Sequence, residues 1–276
     1  MIQALKALLF LSISLTGIKP LSVAAQNALS KGVSHNDYLQ KRPLQDALDA
    51  GYINIEADIF LHHGKLVVAH WFPYLKGART LDELYLKPLS LHVKQHRNDD
   101  GFLPITLLID IKSSPEKTYL SLKELLQNYR DLLTCYQNGQ VQQGPVNIVL
   151  TGRKPVHLIQ HETERWVMMD DFLNTPATET TPFCFTMASC RYSRIIKSKN
   201  KLTADEEMRL RSWVNIAHRN GKKARLWASP ESDEIRTELL ECGIDLINTD
   251  RLNDLKRYLQ QPVIAPGMLA QKTSIN

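Results

Sequence analysis

Four cysteines in 276 residues leave little material for a disulfide scaffold. Cys135, Cys184, Cys190 and Cys242 contain no C-x-x-C pair and no Cys/His spacing of a zinc site. Two arrangements stay open: four buried thiols, or a Cys184–Cys190 bridge closing a short loop. No apolar run is long enough to span a bilayer. Lys and Arg are scattered, and a net charge of +5 is too small a bias to mark a nucleic-acid-binding surface. No glycine-rich phosphate loop follows any strand-like run, which weighs against a doubly wound nucleotide-binding sheet.

What is present is an ordinary globular composition, 43% hydrophobic and 23% charged, ample for one large domain. The first residues have the form of a secretory signal peptide. Lys6 gives the charged start, Ala7–Ile18 the short apolar core and Val23-Ala24-Ala25 a small-residue cleavage site. The expectation is therefore a signal over 1–25, a domain over 26–276 without a transmembrane segment, and export to the periplasm or the extracellular space.

Within that domain strand-like and helix-like segments alternate. Strands are expected over Val33–Asp37, Tyr52–Phe60, Lys65–His70, Ile105–Lys112, Val146–Gly152, Trp166–Asp171, Phe183–Ala188, Lys223–Ala228 and Asp245–Asp250. Helices are expected over Arg42–Ala50, from Leu81 towards His96 with a break at Pro88, and from Pro115 to about Cys135. Others follow over Thr203–Asn220, Glu231–Cys242 and Leu252–Leu259. Thr203 and Glu206 have capping-box spacing, and Gly221 stops that helix. The stretch Asn174–Pro182 reads as a loop. Such alternation without a linker predicts an α/β fold, a single (β/α)8 TIM barrel, with an open doubly wound sheet as the runner-up.

The run "NIEADIFLHHGKLVVAH", residues 54–70, breaks the pattern of an ordinary barrel strand. Alternation puts Asn54, Glu56 and Asp58 on one face and Ile55, Ala57 and Ile59 on the other. Two acids on one face resist joint ionisation unless a cation, a proton or water compensates them. In a barrel the C-terminal strand ends converge on one mouth. His35, Glu56, Asp58, His70, Asp110, Lys112, Trp227, Asn248 and Asp250 all fall at such ends. Glu56, Asp58 and Asp110 are oxygen ligands suited to one hard divalent cation, Mg²⁺ or Ca²⁺. His35 and His70 supply an acid and a base titrating near neutrality, and Lys112 a fixed positive charge for a phosphate. Together these suit phosphoryl transfer. His62, His63, His157 and His161 look like loop histidines. Arg191 and Arg194 read as solvated surface or as phosphate contacts, and Tyr38 and Trp71 as pocket walls or core.

The ordered set "HNDY", "EAD", "VVAH", "LLIDIK", "LW" and "LINTDR" resembles the glycerophosphodiester phosphodiesterase group of the phosphatidylinositol-specific phospholipase-C-like superfamily. The opening resembles a branch related to altered inheritance of mitochondria protein 6. The resemblance implies a PLC-like phosphodiesterase barrel with His35 and His70 as the acid/base pair and Glu56, Asp58 and Asp110 as metal ligands. It gives Lys112, Trp227 and Asn36 to the substrate, a glycerophosphodiester or a phospholipid headgroup. Asn36 stands where the main branch has Arg, and Asp110 where it usually has Glu. Asp110 with Lys112 is equally similar to sphingomyelinase-D-type enzymes, which would form a cyclic phosphate. A barrel that only binds is the further alternative.

Overall fold

The alternating apolar and polar residues of the second strand end up buried on both sides, the apolar set under helices and the polar set inside a barrel. The computed structural model describes residues 29–71, 77–173 and 184–261. In chain order the strands are β1 (Gly32–Ser34), β2 (Asn54–His62), β3 (Lys65–Val68), β4 (Ile105–Ile111), β5 (Cys135–Gln137) and β6 (Gln140–Gln142). They continue with β7 (Val146–Gly152), β8 (Glu164–Arg165), β9 (Met168–Asp171), β10 (Phe185–Arg191), β11 (Lys223–Trp227) and β12 (Leu246–Thr249). β1, β2, β4, β7, β9, β10, β11 and β12 form a closed parallel barrel, shut where β1 pairs with both β12 and β2. Helices such as Pro115–Leu126 and Ala204–Arg219 cover its outside. This is a (β/α)8 barrel. No helix among the described residues is long and apolar enough to cross a membrane.

The apolar core is in two parts. A large cluster lies between sheet and helices and takes the outward residues Ile55, Ile59, Leu107, Ile109, Ile148 and Leu226. A small inner cluster, Val33, Leu108, Met187 and Leu246, fills the barrel axis. Only a few apolar side chains fit on that axis, so polar residues occupy the inner face above them.

Local chemistry explains most boundaries. The β2–β3 hairpin turns through His63 and Gly64, whose φ values of 46° and 74° are those of a two-residue turn matched to strand twist. Asn138 and Gly139, at 53° and 80°, make the same turn between β5 and β6. That Asn-Gly signal marks a small antiparallel sheet, β6-β5-β8, in a region expected to be partly helix. The helix from Pro115 accordingly ends at Leu126, followed by a tighter turn over Gln127–Leu132. Pro88 breaks nothing: a wide turn over Asp82–Leu86 runs into the helix Lys87–His96, and Pro88 sits in its first turn, where a missing N–H costs least. Thr203 caps the helix Ala204–Arg219 in a full capping box. The Asn174–Pro182 loop lies outside the described residues.

All four cysteines are buried free thiols. Cys190 lies in β10 and Cys184 just before it, and six residues of extended chain span roughly 20 Å. A disulfide needs Cα atoms within about 7 Å, so the Cys184–Cys190 bridge is ruled out by strand geometry.

One buried acid organises the first βα loop. Asp37 is fully buried and accepts hydrogen bonds from Ser34 Oγ at 2.7 Å, Leu44 N at 2.5 Å and Tyr85 Oη at 3.0 Å. Burial, against these donors, holds its carboxyl above the usual carboxylate range. Asp37→Ala leaves three donors without an acceptor. It is expected to cost about 2–4 kcal/mol in urea unfolding, because each stranded buried donor carries its own desolvation penalty. A loss under about 1 kcal/mol would remove Asp37 from this organising role.

Candidate active site

Period two on β2 and β4 carries Glu56, Asp58 and Asp110 inward, and the register sets Asp58 directly beside Asp110. One oxygen from each of these acids lies within 4.8 Å of the others, the single such group of potential ligands among the described residues. Glu56 is held from across the barrel by Arg225, whose Nη2 reaches Oε2 at 2.5 Å while its Nε donates to Asn248 at 2.9 Å. Lys112 Nζ lies 2.7 Å from Asp110 Oδ2 and 3.3 Å from Asp58 Oδ2.

Burial, and after it the neighbouring carboxylate charge, holds Asp58 above the usual carboxylate range against the pull of Lys112. Burial also raises Asp110, again with Lys112 opposing. Burial works against the Lys112 charge, yet the two carboxylates hold it above the ordinary lysine value.

Both histidines stand at this mouth with Nδ1 against a carboxylate. His70 Nδ1 is 3.0 Å from Asp58 Oδ2, and His35 Nδ1 is 2.7 Å from Asp250 Oδ1. Tyr38 Oη joins the two halves, lying 2.9 Å from Asp58 Oδ2, 2.8 Å from His70 Nδ1 and 2.7 Å from Asn36 Oδ1. Burial, then Asp58, raises the Tyr38 phenol, so it stays a hydroxyl. Asn36 adopts a left-handed backbone (φ 47°), which Asn tolerates better than most residues. Its amide nitrogen donates to Asp250 at 3.2 Å, so its polar atoms already have protein partners.

Trp227 lies two residues beyond Arg225 on the same strand face, 40% exposed, with the Arg191 guanidinium 5.6 Å from its ring centre. The structure therefore gathers His35, Asn36, Glu56, Asp58, His70, Asp110 and Lys112 into one network and sets Trp227 on the facing rim. Sequence reasoning gave no role to Arg225, Asp37 or Asp250. For Arg225 a signal existed: in "KARLW" the alternation places an Arg among inward residues, where it needs an acid.

A divalent cation fits this donor set. Three hard oxygen donors converge, and Asp110 Oδ1 is buried with no hydrogen-bond partner among the described residues. Gly152 leaves room for that oxygen: a Cβ there would overlap it.

Comparison with known proteins gives a family and a fold. The model of the AIM6-like phosphodiesterase domain matches residues 24–170, which include every one of these groups from His35 to Lys112. The "Altered inheritance of mitochondria protein 6 homolog" of Arthroderma benhamiae is 28% identical over 262 residues, covering 82% of each chain. Two solved structures share the fold. A glycerophosphodiester phosphodiesterase from Parabacteroides distasonis is 17% identical with a TM-score of 0.51, covering 83% of this chain and 96% of that one. A calcium-dependent phosphoinositol-specific phospholipase C from a Pseudomonas species is 14% identical with a TM-score of 0.55, covering 82% and 90%.

The relatives also correct the expectation of export. They are named for altered inheritance of mitochondria, a name that does not fit a protein exported to the periplasm or the extracellular space. The physical reason for the misreading is that a charged start before a short apolar run is an address read by receptors, and its amino-acid pattern does not by itself fix the compartment. Residues 1–25 lie outside the described residues.

Protons and a cation compete for these acids. A carboxyl whose pKa is raised in the folded protein favours folding below its unfolded value, about 3.9, and loses that contribution as pH rises through the folded value. Saturating Mg²⁺ or Ca²⁺ should offset the loss, raising the unfolding temperature by several degrees at about pH 8 and by progressively less towards about pH 4. An increment that does not change with pH would show that the cation binds elsewhere.

Proposed function

The chain belongs to the AIM6-like phosphodiesterase domain family, and from that premise we propose that it is a metal-dependent phosphodiesterase. Its substrates would be glycerophosphodiester-like or phospholipid-headgroup phosphodiesters. The observation that carries this reading is the pairing of both histidines with carboxylates beside the three-acid cluster.

An imidazole whose Nδ1–H is held by a carboxylate presents Nε2 to the substrate, as a base when neutral and as an acid when protonated. In this reading one of His35 and His70 takes a proton through Nε2 from the attacking water or substrate hydroxyl. The other gives a proton to the departing alkoxide. Asp250 and Asp58 hold the rings in place and stabilise the imidazolium form, and Tyr38 keeps Asp58 and His70 in register. Glu56, Asp58 and Asp110 would hold the cation, which when bound supplies positive charge for a phosphodiester oxygen. The Pseudomonas neighbour is a calcium-dependent phospholipase, which supports assaying Ca²⁺ beside Mg²⁺. Lys112 sits at the same carboxylates as a further positive charge, and Trp227 gives the rim a flat apolar surface for the rest of the substrate.

The test is turnover of a phosphodiester panel, from bis(4-nitrophenyl) phosphate to glycerophosphodiesters and lysophospholipids, with and without chelator. Phosphorus NMR of the products distinguishes an open monoester from a cyclic phosphate. His35→Ala and His70→Ala should each lose at least about 10²-fold in kcat, the usual contribution of a general acid or base. The double variant should be little worse than either single one. Both should keep the cation-induced rise in unfolding temperature. Full turnover in both single variants would sink the two-histidine mechanism, and turnover unaffected by chelator would sink the cation's part in it.

A further inference from the structure

Among the described residues, three inward-facing polar atoms near the mouth lack a hydrogen-bond partner although they are buried: Asp110 Oδ1 on β4, Thr151 Oγ1 on β7 and Ser189 Oγ on β10. Thr151 is 3% exposed and Ser189 6%. A buried hydroxyl with nothing to bond costs about 1–3 kcal/mol, which a barrel interior of Val or Ala would avoid.

Thr151 differs from Ser189 in its neighbours. It shares a strand face with Asn147 and Val149, which line the cavity at the far end of the barrel, so it points inward. The register sets it directly beside Asp110, which is itself directly beside Asp58. Asp58, Asp110 and Thr151 thus form one tier across three adjacent strands, each about 4.8 Å from the next. Asp110 Oδ1, the free oxygen, lies against the end of β7, where only the missing side chain of Gly152 admits it. The free hydroxyl and the free carboxylate oxygen stand at in-register positions of neighbouring strands. Ser189 pairs in register with Arg225 instead, on the opposite wall.

We propose that Thr151 is a positioning residue of the cation site, holding one water of the cation's shell from the β7 side. The proposal rests on the cation reading above. A hard divalent ion takes six or more oxygens, and three acids leave positions for waters or substrate oxygens. A cation-bound water is a strong donor and needs an acceptor. Such a water donates one hydrogen to Thr151 Oγ1 and the other to Asp110 Oδ1, so both orphaned atoms gain a partner when the ion is present. Without the ion the hydroxyl only costs. Removing it should therefore weaken cation binding without weakening the cation-free fold.

The measurement is titration calorimetry of the purified full chain with Mg²⁺ and Ca²⁺, alongside thermal unfolding in chelator. Thr151→Val, of the same shape, should lose about 10–100-fold in cation affinity, as groups behind metal ligands usually do. Its unfolding temperature in chelator should equal or exceed that of the wild type. Thr151→Ser should keep the affinity within about threefold, and Ser189→Ala should leave it unchanged. If the wild type binds the ion and Thr151→Val binds it equally well, the role of Thr151 is overturned while the cation site stands. Equal losses in Thr151→Val and Ser189→Ala would also overturn it, pointing to a general internal water network. If Thr151→Val does not fold, Thr151→Ala carries the same comparison. A wild type that binds neither ion overturns the cation site and this proposal with it.

Discussion

Three carboxyl groups held within 4.8 Å of one another inside a barrel set the terms for everything around them. At that spacing two full charges repel by about 3 kcal/mol even at an effective dielectric constant of about 20. The mouth is built to answer this. Arg225 crosses the interior to Glu56 and is itself steadied by Asn248, Lys112 bridges Asp58 and Asp110, and Tyr38 and His70 bond Asp58. Burial lifts the pKa values of Asp58 and Asp110, so the fold keeps a site that is short of positive charge.

The same constraint ties structure to chemistry. Groups that compensate the acids are also those suited to moving a proton or meeting an anion, so the arrangement that neutralises the cluster is the one the proposed chemistry would use. His70 is fixed by an acid of the cluster, and His35 by Asp250 at the end of the last strand. His35 and Asp250 are 215 positions apart in the chain. They meet because β1 pairs with β12 when the barrel closes. The loop after β1 adds its own tension: Asn36 in a left-handed conformation, then Asp37 buried beneath it, holding Leu44 and Tyr85.

Much of this was legible in the sequence. Alternation of strand and helix patterns gave the barrel, and Gly64, Thr203 and Gly221 marked ends that the structure places at or next to element boundaries. The inward face of β2 was readable because period two separates Glu56 and Asp58 from Ile55, Ala57 and Ile59. The Asn138–Gly139 hairpin had a signal that the helix-like pattern before it obscured. The compartment was misread, because a targeting pattern depends on its receptor. The Cys184–Cys190 bridge was open in the sequence and closed by strand geometry, since both residues belong to one extended segment.

By itself, then, the order of residues determined which side chains face inward and that acids, histidines and a lysine sit at strand ends. These are local properties, governed by backbone period and turn chemistry over a few residues. Partner choice was decided only by the tertiary structure: Arg225 with Glu56, Asp250 with His35, Thr151 beside Asp110. Each depends on barrel closure and on the stagger between strands, which no local pattern encodes. A shift of two residues in register would keep every inward residue inward and part every one of these pairs.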